Sequence, residues 1–280
     1  MGMNHGKNQG KKKGNQFHHK HSLGQNFITD DALFAQLVEL AGVGKEDNVL
    51  EIGAGAGGMT KALSKVCKNV VSVEVDGTLL PILKVALHHC QNVTLVHGDV
   101  MRLNLKETTK DLGAFHVVAN IPYYLTTDLM QMLLTSGLPI ASINVMVQAE
   151  AAQRMVAKPG EEGWGMLAVR TQYAYAPQIV LDVPSCMFTP PPKVDSAFVT
   201  MQLRSKPAVE VADENMFFRV AKTAFAMRRK TMANNLIASF RMSREEAESL
   251  LENCGLEKNV RGETMSLQDF ANIANALQGV

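Results

Sequence analysis

The chain has 280 residues, enough for two domains, or for one large domain with an appendage, at about 150 residues per domain. A composition of 46% hydrophobic and 20% charged residues excludes a wholly disordered or collagen-like protein. With 28 Lys and Arg against 27 Asp and Glu, the net charge of +1 gives no global attraction to nucleic acid or membrane, so any such attraction must come from local patches.

Residues 1–21 hold Lys7, Lys11, Lys12, Lys13, Lys20 and four histidines, with no acid and almost nothing apolar, and are expected to form a flexible basic tail. No apolar run follows the N-terminus, so no secretory signal is expected. From Asp30 the pattern becomes helical: Leu33, Phe34, Leu37, Val38 and Ala41 share a face, Asp30 can cap it and Gly42 can end it. Strands and helices then alternate. Strands are expected at Asn48–Ile52, Val70–Val75, Val93–Val96, Ala114–Ala119 and Ile143–Val147, with helices near Met59–Val66 and Leu79–His88. Such repeats mean a parallel sheet with right-handed crossovers, a doubly wound α/β fold. Leu129 to Ala149 is the longest uncharged stretch, but Gln131, Gly137, Pro139 and Asn144 within it prevent it from crossing a bilayer as one helix.

Gln178–Val183 and Ala197–Leu203 are two extended runs joined by a Pro-rich connection without a helix, so they can pair antiparallel and finish the sheet. Ser205–Lys206–Pro207 looks like a boundary, dividing a domain over 22–204 from a small all-helical one over 205–280. In the second, Phe217, Ala221, Ala224 and Phe225 line one face. Ser243 with Glu246, and Ser266 with Asp269, read as capping boxes, and Gly255 closes the helix that begins at Ser243. The four cysteines are far apart and form no CxxC pair. They are expected to be reduced thiols in a cytoplasmic protein, with no disulfide frame and no metal site.

Three motifs carry chemistry. Val49 to Gly58 runs from a strand into a glycine-rich turn and a helix, and Gly53, Gly55 and Gly58 satisfy GxGxxG. Glu74 ends the next strand, where a carboxylate can accept both hydroxyls of a ribose. Loop and acid together indicate an adenosine-containing cofactor, without choosing between NAD and S-adenosylmethionine. Gly98–Asp99 follows the third strand, and Asp99 is placed to accept from an adenine amino group, although Gly-Asp is also ordinary turn chemistry. Asn120–Ile121–Pro122–Tyr123 follows the fourth strand at the carboxyl edge, where ligands of such sheets bind. An exocyclic base amine is a poor nucleophile because its lone pair is conjugated into the ring. The Asn120 side-chain oxygen and a backbone carbonyl at Ile121 or Pro122 supply acceptors that draw the nitrogen towards a tetrahedral geometry, and Tyr123 offers a ring on which an extruded base can stack.

These motifs, with Leu23–Gly24–Gln25–Asn26–Phe27 ahead of the first helix, resemble those of the ribosomal RNA adenine N6-dimethyltransferases. Val183 to Ser196, Phe225–Ala226–Met227–Arg228–Arg229–Lys230–Thr231 and Asn234–Asn235–Leu236 are similar to the bacterial small-subunit branch, KsgA/RsmA. The likeness runs from about Leu23 to the C-terminus. Ala54 departs from it, standing where the family's first glycine motif has proline, and Ile121 stands where the bacterial branch more often has leucine. The tetrad Asn120 to Tyr123 also occurs in the Erm-type enzymes of the large subunit.

The resemblance implies a class I methyltransferase sheet with S-adenosylmethionine as cofactor. Asn26, Ile28, Gly53, Gly55, Glu74, Asp99 and Asn120 would form its site, and Phe188 would stack on the target base opposite Tyr123. The implied substrate is a pair of adjacent adenines near the 3′ end of 16S rRNA in the 30S subunit or its precursor, and the protein would be a monomer without membrane contact. Between Met216 and Arg244 lie seven basic residues and no acid. Such concentrated charge binds phosphate backbones. Arg219, Lys222, Arg228, Arg229 and Lys230 are the expected RNA contacts. An Erm-type methyltransferase, a non-catalytic RNA-binding assembly factor and an NAD-dependent oxidoreductase remain as alternatives.

Overall fold

A computed structural model describes residues 26–278, and the expected basic tail lies outside them. The strands are β1 (Phe27–Ile28), β2 (Asn48–Ile52), β3 (Asn69–Glu74), β4 (Val93–His97), β5 (Phe115–Asn120), β6 (Ile140–Gln148), β7 (Tyr175–Val183), β8 (Phe188–Thr189) and β9 (Ser196–Leu203). The helices are α1 (Asp31–Ala41), α2 (Gly58–Val66), α3 (Leu80–Ala86), α4 (Leu105–Thr108), α5 (Thr126–Thr135), α6 (Ala149–Val156), α7 (Met166–Ala174), α8 (Glu214–Ala224), α9 (Met232–Phe240), α10 (Arg244–Asn253) and α11 (Leu267–Gln278).

Seven strands form one sheet in the order β4-β3-β2-β5-β6-β9-β7. The first five neighbours are parallel, while β9 runs antiparallel to both β6 and β7. The antiparallel pairing of the last two long strands is the one expected from their helix-free connection. That connection also contains β8, which pairs with β1 so that Ile28 stands opposite Phe188.

Alternation along each strand builds a core on both faces of the sheet. Leu50 and Ile52 face Leu129, Met130 and Leu133 of α5 and Met155 of α6. Val49 and Val70 face the stripe of α1, Leu33, Phe34, Leu37, Val38 and Ala41, together with Leu63 of α2. The Asp30 carboxylate caps α1 by accepting from the amides of Ala32 and Leu33, and Gly42 ends the helix in the left-handed conformation.

Helices α8 to α11 gather around Phe217, Leu236, Leu251 and Phe270. Their cluster also takes in Trp164, Ala168, Val169 and Tyr173, and the Trp164 indole donates to the Met265 carbonyl at 3.0 Å. The Ser243–Glu246 capping box is present in both directions, and Ser266 and Asp269 bond reciprocally. Helices α5, α6 and α7 have no counterpart among the elements anticipated from sequence. In α7 the buried residues Ala168, Val169, Thr171 and Tyr173 do not form one stripe, because the helix is packed from both sides by the sheet unit and the helical cluster.

Candidate active site

The carboxyl ends of β2, β3 and β5 open into a crevice. The chain leaves β2 at Gly53, whose amide donates to the Val73 carbonyl at 2.9 Å and thereby locks the loop to the neighbouring strand. Gly55 has φ +57, and its amide donates to the Glu74 carboxylate at 2.8 Å. The other Glu74 oxygen accepts from the Asp76 amide at 2.8 Å. Glu74 is only 4% exposed, so it ties the glycine loop to the end of β3 while lining the crevice. A Cβ on Gly53, which has φ +85, would lie 3.3 Å from the Asn120 carbonyl oxygen. The glycine loop and the end of β5 therefore touch backbone to backbone.

Two cavities meet at Gly53, Val75 and Pro122. One, of about 90 Å³, is lined by Asn26, Phe27, Gly55, Glu74, Asn120, Tyr123 and Phe188 among others. The Asn120 side-chain amide donates to the Asn26 carbonyl at 3.3 Å, and among the described residues its Oδ1 takes no hydrogen bond. The Tyr123 hydroxyl bonds Ser196 Oγ at 2.9 Å, and burial raises its pKa. Phe188 is 3% exposed and packs into the core around α1 as well as lining this cavity. The other cavity, of about 230 Å³, is lined by Gly98, Asp99, Val100, Met101, Tyr124 and Leu125 among others. Asp99 accepts from the Met101 amide at 3.0 Å, stands 3.4 Å from the Arg102 guanidinium and keeps part of its carboxylate open to solvent. It is thus a turn former and a cavity residue at once.

Beneath the loop, Glu51 is fully buried. Its Oε2 accepts from the Thr60 and Ser72 hydroxyls, both at 2.6 Å, and its buried Oε1 has no hydrogen-bond partner among the described residues. Burial pushes its carboxyl up to about 7, against the lowering effect of those two hydroxyls.

The structure separates the expected RNA contacts into two groups. Arg219 and Lys222 lie within α8 and line a groove with Arg170 of α7 and the α5–β6 turn. Arg228 follows the end of α8 and lines a different cleft, with Glu150 and Arg154 of α6. Arg229 and Lys230 are exposed beside it and line neither groove. Asn235 braces this basic turn from below: it is buried, and its side chain donates to the Ala224 carbonyl at 3.2 Å.

The sequence profile of the family described as Ribosomal RNA adenine dimethylase matches residues 16–279. The chain belongs to that family. Among proteins similar to this dimethylase is the Ribosomal RNA small subunit methyltransferase A of Shouchella clausii, 42% identical over 265 residues that cover 92% of this chain and 89% of that protein. The protein of the same name from Geobacillus thermodenitrificans is 40% identical over 268 residues, covering 93% and 92%. Two crystal structures share the fold. One is the 23S rRNA methyltransferase ErmE, with a TM-score of 0.72 and 24% identity, over 90% of this chain and 100% of that one. The other is a dimethyladenosine transferase from Plasmodium falciparum, with a TM-score of 0.75 and 20% identity, over 88% and 95%.

The dimethylase is therefore a methyltransferase of the expected doubly wound class. Of the residues anticipated for its site, Asn26, Gly53, Gly55, Glu74, Asn120, Tyr123 and Phe188 come together around the smaller cavity, and Asp99 lines the adjoining one. The Ile28 side chain instead turns into the core against α1, and Phe27 occupies the cavity wall. Alternation along β1 sends neighbours to opposite sides, which would have favoured one of the two but not said which. Val75 and Tyr124 were also unanticipated. They are 47% and 64% exposed and present apolar surface at the cavity mouth. Among the described residues no helix is long and apolar enough to cross a membrane, and no His, Cys, Asp and Glu group could hold a metal ion.

Proposed function

We propose that the chain transfers methyl groups from S-adenosylmethionine to N6 of two adjacent adenines near the 3′ end of 16S rRNA in the small ribosomal subunit, giving N6,N6-dimethyladenosine. One observation carries the reading: the glycine loop abuts the Asn120 backbone, so that a cofactor crevice and a base-binding turn share one opening. The names of the relatives at 40–42% identity support the small subunit as the target. The large-subunit alternative has a likeness of fold and the shared Asn120–Tyr123 tetrad behind it.

The residues present fit the proposed cofactor. The positive-φ glycines leave open space where side chains would otherwise press on Asn120 and Phe27. Glu74 would accept from the ribose hydroxyls, Asp99 from the adenine amine, and Val75 and Met101 would cover the adenine faces. When bound, S-adenosylmethionine supplies an electrophilic methyl group on a sulfonium. The Asn120 Oδ1 and a carbonyl at Ile121 or Pro122 accept from the two N–H groups of the target amine and aim its lone pair. Tyr123, tethered to Ser196, and Phe188 flank the base ring. The amine's proton leaves to solvent after the C–N bond forms, so no strong base is required. Residues 22–204 would be the catalytic unit. Residues 205–280, with Arg228, Arg229 and Lys230 on the side of α6, would help hold the RNA.

Incubating the protein and labelled S-adenosylmethionine with separate unmethylated 30S and 50S subunits tests this reading. Label in 16S rRNA alone is expected, and label in 23S rRNA would assign the Erm-type activity instead.

A further inference from the structure

The topology puts the groove holding Arg219 and Lys222 at the end of the sheet away from the crevice. Asn120 ends β5, and α5 then runs back so that Thr135 and Gly137 precede the start of β6. The groove is lined by that turn, by the last residues of α7 and by the outer face of α8, and it encloses about 640 Å³. Three cations open into it: Arg170, Arg219 and Lys222. Among the described residues none of them has an ion-pair partner. The two guanidinium groups rest on aromatic rings instead. Arg170 lies 4.8 Å from the centre of Phe218, and Arg219 lies 4.3 Å from the centre of Phe240. Stacking of this kind fixes a guanidinium while leaving N–H groups to donate; Arg219 spends one of its own on the Ser239 carbonyl at 3.5 Å and keeps the others. The one carboxylate on the groove, Glu214, lies beside the Tyr173 hydroxyl.

We propose that this groove, which shares no lining residue with the cleft of Arg228, is a second RNA site in which Arg170, Arg219 and Lys222 hold backbone phosphates. This rests on the reading of the chain as an rRNA methyltransferase. Preorganised cations without carboxylate partners suit an anion, and three in one groove suit a polyanion better than a single free phosphate. RNA held both in the groove and in the cleft of Arg228 would be positioned in register with the crevice, each contact raising the effective concentration of the other.

The test is binding of the full chain to unmethylated small subunits across a salt series. Wild type is compared with Arg170→Gln/Lys222→Gln, with the single change Lys222→Glu at an exposed position, and with Arg228→Gln/Arg229→Gln/Lys230→Gln. The first variant should flatten the slope of log affinity against log salt by about 1.4–1.8, at roughly 0.7–0.9 per lost phosphate contact. Combined with the third it should flatten the slope additively, and cofactor affinity should not move. Lys222→Glu should weaken binding on its own. A photoreactive benzophenone side chain placed at Asn215, on the groove wall, should crosslink to RNA. An unchanged slope beside normal wild-type binding overturns the groove alone, as does crosslinking only to a ribosomal protein. Absence of salt-dependent binding by wild type overturns both the groove and the rRNA reading.

Discussion

Replacing Glu74 with glutamine separates two tasks that the structure assigns to one side chain. Its two carboxylate oxygens each accept from a backbone amide at 2.8 Å, Gly55 from the loop and Asp76 from the turn after β3. Both bonds lie in a crevice wall where Glu74 itself is almost fully enclosed. Glutamine fills the same volume but keeps a single acceptor oxygen, so its NH2 must face one of the two amides. One charge-assisted hydrogen bond disappears and a buried donor is left unmatched, a loss of about 1.5–3 kcal/mol in the unliganded protein. A domain's whole stability is about 5–15 kcal/mol, so the change is readable as a lower denaturant midpoint at constant slope. The ribose hydroxyls also lose a charged acceptor, so S-adenosylmethionine affinity by calorimetry should fall about 10–100-fold. Wild-type stability in the unliganded variant would refute the strut. Unchanged cofactor affinity would refute the ribose assignment, and the two outcomes are independent.

Asn120→Ala removes the one side-chain acceptor aimed at the reacting amine, so single-turnover methyl transfer with RNA and cofactor both saturating should slow on the order of 100-fold or more. Tyr123→Phe keeps the ring and loses only the bond to Ser196, so it should stay active, whereas Tyr123→Ala should lose about 1–3 kcal/mol of base stacking, read as weaker RNA binding. Glu51→Gln tests the buried carboxyl. In the fold it keeps its proton up to about pH 7, while in the unfolded chain it ionises near 4.5. Between those values the folded state holds the extra proton. The wild-type stability relative to the variant is therefore whole below pH 4.5 and is lost as pH rises through 7, by about 3 kcal/mol in total at about 1.4 kcal/mol per unit. Denaturant midpoints measured from pH 4.5 to 8 give this difference, and a difference flat with pH contradicts the assignment.

The crevice was legible because its parts are local in sequence. Strand, glycine turn and helix fall within Val49–Val66, and Asn120 to Tyr123 is a single turn, so periodicity places each at a strand end before any tertiary contact is known. The double tether of Glu74 was not legible, since it joins residues 19 apart through a side chain that sequence reading assigns only to a ligand. Helix α7 was missed because burial on two sides erases the stripe that marks a surface helix. The basic run from Arg219 to Arg244 read as one patch because charge counting has no direction. The end of α8 at Ala224, held by Asn235 and approached closely by Gly262, turns the chain so that Arg228 lines a cleft with α6, whereas Arg219 and Lys222 on α8 line a groove at the α5–β6 turn. Trp164 likewise belongs in space to helices that follow it by more than fifty residues, through its bond to Met265.

In the proposed function, this crevice dimethylates adjacent adenines in the small subunit. Mass-spectrometric mapping of adenines in 16S rRNA, after single-turnover and then exhaustive reaction of unmethylated 30S subunits with wild type, tests it most directly. Two adjacent adenines near the 3′ end should each end with two methyl groups on N6, and Asn120→Ala should leave both almost unmodified within the wild-type reaction time. Methyl groups at any other position, or on a ring nitrogen, or an Asn120→Ala protein that modifies the same adenines at the wild-type rate, would contradict it.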